Sequence, residues 1–467
     1  MFRPVEKPRV AVLGLSLELY QHALPGYMDR LAQQLIRFIE PLKASITPAG
    51  IRLCYLAGHV ADSVQEAERS GADAVLLVPV SYTASGMALK AVLRTPLPVV
   101  VWNTQEAHAI AEDYDFDDLL MNHVTQGTQD LTNALLRNGK VFGMESGHYR
   151  DTGAIARLAD WLAAARARRF AQNIRVGLLG HPFQDMGDFA IDETRMAGKW
   201  GPCVIRLSIP RFAELAAKAD RDEVAALMAA DRQAFDVLPE VTEAVHLASA
   251  RLEWAIRKLV EENNLDALTL NFMDLIGDGR CETLPFLGIN KLMGGGLGYA
   301  GEGDAVTAAH MAQMRQLCGA ANFTEIFTVD YAGNRMLMMH MQECNPALTR
   351  RDRKVRLVRK DFWAPGVQPY VGMYFTLEPG PVTLTCITSD EQGGLYYIAG
   401  EARIVDRQPL AKLDVPHWIV ELDEPVGEFL TRYSMAGGPH HLVAVPGHRA
   451  SMLGKLAHLQ GFGFQQL

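Results

Sequence analysis

The sequence predicts a mixed α/β protein, with two Rossmann-like parallel α/β domains followed by a C-terminal antiparallel domain resembling a β-barrel. Three observations lead there. An apolar strand run ending at glycine opens the chain at residues 9–15 (RVAVLGL) and recurs at 174–180 (IRVGLLG). After each, strand-like runs alternate with helical stretches, the pattern of a parallel sheet covered on both faces. Beyond about residue 320 the texture changes to short alternating runs set off by Gly, Pro and Asp turns. The expected domains are therefore residues 1–171, 172–320 and 321–467.

In the first domain, residues 28–39 read as a helix, 51–57 as a strand, 61–70 as a helix, and 74–80 (AVLLVPV) and 98–102 as buried strands. The stretch GLSLEL after the first strand lacks GxGxxG, so no dinucleotide site is expected there. Ligands on such sheets gather at the carboxyl ends of the strands. Here those ends carry Leu17, Tyr82 and the run Asn103-Thr104-Gln105. Residues 137–169 read as a linker region that ends in a strongly helical ADWLAAARARRF. In the second domain, HPFQDMGDF supplies Met186, residues 240–262 form a long amphipathic helix, and the strand at 267–272 runs into Phe272. In the third, MYFTLEPG, VTLTCITS, LYYIAGEARIV and HWIVELD are the strand runs. The closing SMLGKLAHLQGFGFQ reads as a helix that docks back, and the basic run 349–360 (TRRDRKVRLVRK) as a solvated loop or strand face.

Composition narrows the function. A net charge of −9 with scattered Lys and Arg leaves no basic stripe for nucleic acid. Cys54, Cys203, Cys281, Cys318, Cys344 and Cys386 include no CxxC pair and read as reduced thiols. The first residues, MFRPVEKPRV, lack the apolar core of a leader, and no run has transmembrane length. A cytoplasmic protein that makes no membrane contact is expected.

The chemistry-bearing stretch is LMGGGLGYAGEGDAVTA, residues 292–308, where Glu302 sits among glycines just before a helix that Asp304 or Thr307 could cap. Downstream, NFTEIFTV carries Glu325, the apolar run RMLMMHMQE carries His340 after a turn at residues 332–334, and AGGPHHL carries His440 and His441. Two carboxylates and two imidazoles suit a divalent ion of intermediate hardness such as Mn²⁺. Taken singly, each residue also suits a plain role: a solvated loop Glu, a satisfied core His, a surface His-His turn.

The segments GYAGEGD, FTE, HMQEC and AGGPHH, in this order, resemble the ligand segments of the L-arabinose isomerase family, within the arabinose and fucose isomerase superfamily. The resemblance is strongest over residues 271–346 and 436–441. It implies a metal site of Glu302, Glu325, His340 and the second histidine, His441, with His440 beside it offering the same donor. It also implies proton transfer by Glu302 and Glu325, Mn²⁺ as the metal, and a small-molecule sugar as substrate. Sugar contacts fall on Leu17, Tyr82, His123, Gln126, Met186 and Phe272. A homo-oligomer, trimer or hexamer, with active sites shared between subunits is implied as well.

The reaction this supports is aldose–ketose interconversion, in which a divalent ion chelating two adjacent sugar oxygens stabilises the enediolate as a Lewis acid. Which glutamate acts as acid and which as base depends on sugar direction. Two other readings stay open: a non-catalytic sugar-binding sensor, suited by two similar α/β lobes, and a related sugar epimerase. The chain also departs from the family. The family's Ser-Gln-His-Leu-Tyr reads Ser16-Leu17-Glu18-Leu19-Tyr20, its Asn-Gln-x-x-His-Gly reads Asn122-His123-Val124-Thr125-Gln126-Gly127, and a phenylalanine is replaced by Tyr82. A substrate with a less polar far end than L-arabinose is expected.

Overall fold

The computed structural model describes residues 3–467; Met1 and Phe2, which open the stretch read as lacking a leader, lie outside the described residues. The described residues divide into two compact units, one of residues 6–169 and 452–462, the other of residues 3–5, 170–451 and 463–467.

The first unit holds a five-stranded parallel sheet of β1 (Arg9–Leu15), β2 (Thr47–Cys54), β3 (Ala74–Pro79), β4 (Val99–Asn103) and β5 (Gly143–Ser146), in the order β2-β1-β3-β4-β5. Every residue of β3 is buried, as an apolar run covered by helices on both faces requires. The order reverses between β1 and β3, and at that crevice such folds present their ligand-binding loops. Leu17 follows β1 and Tyr82 follows β3, so the two flank the reversal. The region read as a linker contains β5 and the helix Thr152–Ala171. β5, the four residues GMES at the sheet edge, is too short and too polar to announce itself by alternation. The helix Ala450–Gln460 does dock back: Lys455 Nζ donates to Arg157 O at 2.7 Å and His458 Nε2 lies 2.9 Å from Phe142 O.

The second unit opens with β6 (Arg175–Leu179), β7 (Cys203–Leu207), β8 (Asp236–Val237), β9 (Ala267–Leu270) and β10 (Gly298–Ala300). Four of them form a parallel sheet in the order β10-β9-β6-β7, which repeats the winding of the first sheet. The repeated strand-then-glycine motif thus marks a repeated topology. The loops after β6, β9 and β10 leave the carboxyl edge of this sheet side by side.

The remaining strands are β11 (Asn322–Asp330), β12 (Arg335–Met339), β13 (Arg356–Lys360), β14 (Tyr370–Tyr374), β15 (Gly380–Ser389), β16 (Leu395–Ile404), β17 (His417–Glu421), β18 (His441–Pro446) and β19 (Gly463–Gln466). β15, β18, β11, β12, β17 and β16 pair in sequence, and β15 pairs again with β16, closing an antiparallel ring to which β19 adds in parallel. Its inward residues, among them Met336, Met338, Leu384, Ile398, Trp418 and Leu442, form one apolar core. β13 pairs with β14 on one side and with β8 on the other in a small separate sheet. β11 runs beside both β12 and β18, placing Glu325 opposite Met339 on one side and His441 on the other.

Candidate functional site

Glu302 leaves β10 between two glycines with φ +62°, a left-handed conformation uncommon for a side-chain-bearing residue. The surroundings hold it there. Its carbonyl accepts from Phe183 N at 2.8 Å, and Gly303 N donates to Leu270 O at 3.2 Å. Close approach favours glycine at Gly301 and requires it at Gly303. A Cβ on Gly301 would lie 3.0 Å from the His340 ring, and one on Gly303 would lie 2.5 Å from Pro182 Cα. The glycine-rich stretch is therefore a clamp that turns one carboxylate inward.

Around it the acids and imidazoles converge. One ligand atom each from Glu302, Glu325, His440 and His441 falls within 4.8 Å of all the others. His441 Nε2 lies 3.3 Å from Glu325 Oε1 and 3.5 Å from Glu302 Oε2. His440 Nε2 lies 3.6 Å from each of those oxygens. His340 Nε2 lies 3.7 Å from Glu325 Oε1 on the same cluster. His441 and His340 are buried, at 0% and 2% side-chain exposure, whereas His440 is 38% exposed.

Each imidazole has its own carboxylate behind it. His441 Nδ1 meets Asp304 Oδ2 at 2.9 Å, His340 Nδ1 meets Glu343 Oε2 at 2.7 Å, and His440 Nδ1 meets Asp188 Oδ2 at 2.6 Å. Such partners fix ring orientation and raise ligand basicity. All three thereby present Nε2 to the two glutamates. Asp304 does two jobs, because its other oxygen caps the helix Ala305–Cys318 through Thr307 N at 2.8 Å. Glu343 is itself held by Tyr299 OH at 3.2 Å and Gln342 N at 3.0 Å.

The electrostatics follow from this crowding. Burial alone would raise the Glu302 carboxyl, but the His440, His441 and His340 rings outweigh it and hold it well below the usual range. For His441, burial favours the neutral ring, yet Asp304, Glu302 and Glu325 together push its pKa well up. His340 is raised in the same way by Glu343 and Glu325, and His440 by Glu302 and Asp188. Five carboxylates surround three imidazoles, so the site carries surplus negative charge in a largely buried place. Glu302 Oε2 and His441 Nε2 are buried and make no hydrogen bond. A mixed oxygen and nitrogen donor set with unpartnered inner atoms fits a divalent cation.

The remaining expected residues fall into two groups. In the second unit, Met186 is half-buried in the loop after β6, and Phe272 opens the helix Phe272–Asp278 after β9. Phe272 packs on Phe183 with ring centres 5.9 Å apart, and Phe189 of the Met186 loop stacks on His441 at 5.5 Å. In the first unit, Tyr82 and His123 stack at 5.4 Å, Leu17 is half-buried after β1, and Gln126 is exposed on the first turn of the helix Thr125–Arg137. The sequence reading missed Asp188, Glu343 and the orienting role of Asp304. Glu343 stands one turn of chain from His340 inside the quoted HMQEC. Asp188 is 252 residues from His440 and gives no local signal.

Comparison with known proteins gives the family. Family models described as the L-arabinose isomerase central domain and C-terminal domain match residues 190–320 and 320–463. The L-arabinose isomerase of Nocardioides sp. is 24% identical over 378 residues, covering 78% of this chain and 74% of that protein. Those of Yersinia enterocolitica and Arthrobacter sp. are 24% and 27% identical, covering 79% and 71% of this chain and 75% and 66% of theirs. An ABC transporter solute binding protein from Burkholderia multivorans aligns at 14% identity over 66% of this chain and 93% of that one, with a TM-score of 0.15, too low to carry an argument. No helix among the described residues is long and apolar enough to cross a membrane. The two matched domains together span more than half of the sequence, and the chain belongs to the L-arabinose isomerase family of aldose–ketose isomerases.

Proposed function

We propose that this isomerase interconverts an open-chain aldose and ketose at a divalent metal, with Glu302 and Glu325 moving the protons. The observation that carries the reading is the convergence of these two acids with three carboxylate-backed imidazoles, while Glu302 Oε2 and His441 Nε2 are left without hydrogen-bond partners. Glu302, Glu325 and His441, together with His340 or His440, would hold the ion, and Mn²⁺ suits their mixed hardness. When bound, it supplies Lewis-acid stabilisation for negative charge on two neighbouring sugar oxygens.

The protein's own groups do the rest. In the aldose-to-ketose direction one glutamate takes the C2 proton and delivers a proton to C1. The other moves a proton from O2 to O1, so that hydrogen is conserved and no external redox partner is needed. His441, His340 and His440 stay oriented by Asp304, Glu343 and Asp188. Phe183, Phe272 and Phe189 give the site apolar walls that limit water near the carbanion-like carbon.

The family resemblance assigns the sugar's far end to positions at which this chain departs from the family. Leu17 offers no hydrogen bond where the family has glutamine, and an unpaired buried hydroxyl costs about 1–3 kcal/mol. The best substrate is therefore a pentose, tetrose or deoxy sugar other than L-arabinose, held in a homo-oligomer whose sites are shared between subunits. NMR of an aldose and ketose panel in D₂O with Mn²⁺ tests this. Interconversion with deuterium at C1 or C2, abolished by chelation and restored by Mn²⁺, is the expected result. Activity indifferent to chelation removes the metal role, and L-arabinose ranking highest in kcat/KM removes the role of Leu17.

A further inference from the structure

The basic run 349–360 takes no part in the site described above. It folds back as a loop ahead of β13 and, with β14 and the segment at 408–409, encloses a cavity of about 320 Å³. Arg350, Arg353, Lys354 and Arg356 all line it, and Asp236 is the one acid among its lining residues. Four cations around one hollow repel one another unless something answers them.

Their commitments differ. Arg350 is only 12% exposed and is pinned, with its guanidinium on Asp352 at 3.0 Å and on Asp406 at 2.6 Å. Arg356 reaches Asp236 only at 3.7 Å. Arg353 and Lys354 form no ion pair among the described residues, and both are exposed. One hydroxyl of the cavity wall is only weakly engaged: Tyr374 OH makes a 3.4 Å contact to Leu410 O. A rigid arginine, uncommitted cations and a weakly held hydroxyl on one concave surface match a ligand with several anionic oxygens. The volume suits a molecule of metabolite size.

We propose that this cavity binds a small phosphate monoester, through Arg353, Lys354 and Arg356 with Tyr374 as a neutral partner. Arg350, its charge answered by Asp352 and Asp406, fixes the shape of the wall. Calorimetric titration of the full-length protein with glycerol 3-phosphate tests it, with glycerol and chloride of equal ionic strength as controls. Saturable binding of the phosphate ester alone is expected, weakened about tenfold or more in the double variant R353Q/K354Q. Thermal melts of that variant should match the parent, since neither side chain holds the fold together. No saturable binding below about 10 mM, where such an interaction falls under roughly 3 kcal/mol, would overturn the proposal. Equal affinity in the variant would do the same. So would a variant whose sedimentation changes while ester binding does not occur, which would give the cavity to an acidic segment of a second copy.

Discussion

Two buried polar clusters in the second unit look alike and differ in one respect. Around Lys291, on the helix Phe286–Gly295, the ammonium lies 2.5 Å from Asp231 and 2.5 Å from Glu253; Asp231 also meets His246 at 3.0 Å, and Glu253 also meets Arg257 at 2.8 Å. Every charge there has a partner. Around Glu302 the outer face is equally well served, by Asp304, Glu343 and Asp188, but the inner face is not. Burial and charge do not distinguish structural from functional clusters; the direction in which the unsatisfied atoms point does.

Substitutions can break this contrast. The largest effect is expected at the open cluster. Glu302→Gln should lower kcat by about 10²–10⁴-fold, the range for an acid/base or charge-stabilising group. It should still unfold in one cooperative transition, because the amide keeps the side chain's volume and the apolar cores are untouched. A variant retaining half the parent rate would show that Glu302 is not in the proton path.

At the closed cluster the roles invert. Lys291→Met leaves Asp231 and Glu253 facing each other without their shared cation, which should cost about 3–5 kcal/mol of folding stability. Activity per folded molecule should be unchanged. Equilibrium denaturation gives the first quantity and active-site-normalised kinetics the second. A loss below about 1 kcal/mol would mean that His246 and Arg257 suffice, and that Lys291 does not hold the cluster together.

Asp304 joins the two behaviours in one side chain. Asn keeps the capping oxygen for Thr307 N and removes the charge behind His441. Asp304→Asn should therefore fold as the parent does and bind Mn²⁺ about 10–100-fold more weakly by calorimetry. Unchanged affinity would assign Asp304 to the helix alone.

How much of this the sequence could carry depended on range. The parallel sheets were legible because β1, β3 and β6 are apolar runs closed by Gly or Pro, a local signal. The antiparallel ring was legible from its turns, and Glu302 from its glycine clamp. β5 was not, since four polar-leaning residues at an edge have no periodicity. The imidazole–carboxylate pairs were legible in proportion to their spacing: Asp304 was visible as a cap, Glu343 lay inside the histidine's own motif, and Asp188 became a partner only once the loop after β6 met the start of β18. That His440 faces the glutamates as closely as His340 does is likewise a product of tertiary packing, which no spacing encodes.

The smallest predicted effect tests whether carboxylates, rather than burial, set the site imidazoles apart. His310 lies in the helix that Asp304 caps, fully buried, stacked on Tyr397 at 5.4 Å and with neither ring nitrogen hydrogen-bonded. With no acid behind it, burial pushes its pKa down to about 3. His441 and His340, equally starved of water but backed by carboxylates, move upward instead. For His310 the folded state holds the proton more weakly than the unfolded chain, which titrates near about 6.5. Its contribution to stability is therefore intact above that pH and is lost as pH falls toward the folded value. Between pH 6.5 and 5 the loss is about 2 kcal/mol. The raised site histidines act with the opposite sign, favouring the folded state below their unfolded pKa and losing that contribution as pH rises, so a single acid titration of the parent mixes the two. The difference between parent and His310→Leu separates them. The variant should lose less stability than the parent over that window and match it more closely near pH 7.5. Parallel pH profiles would mean that His310 finds a proton acceptor on protonation, and that burial without a partner is not what sets its charge.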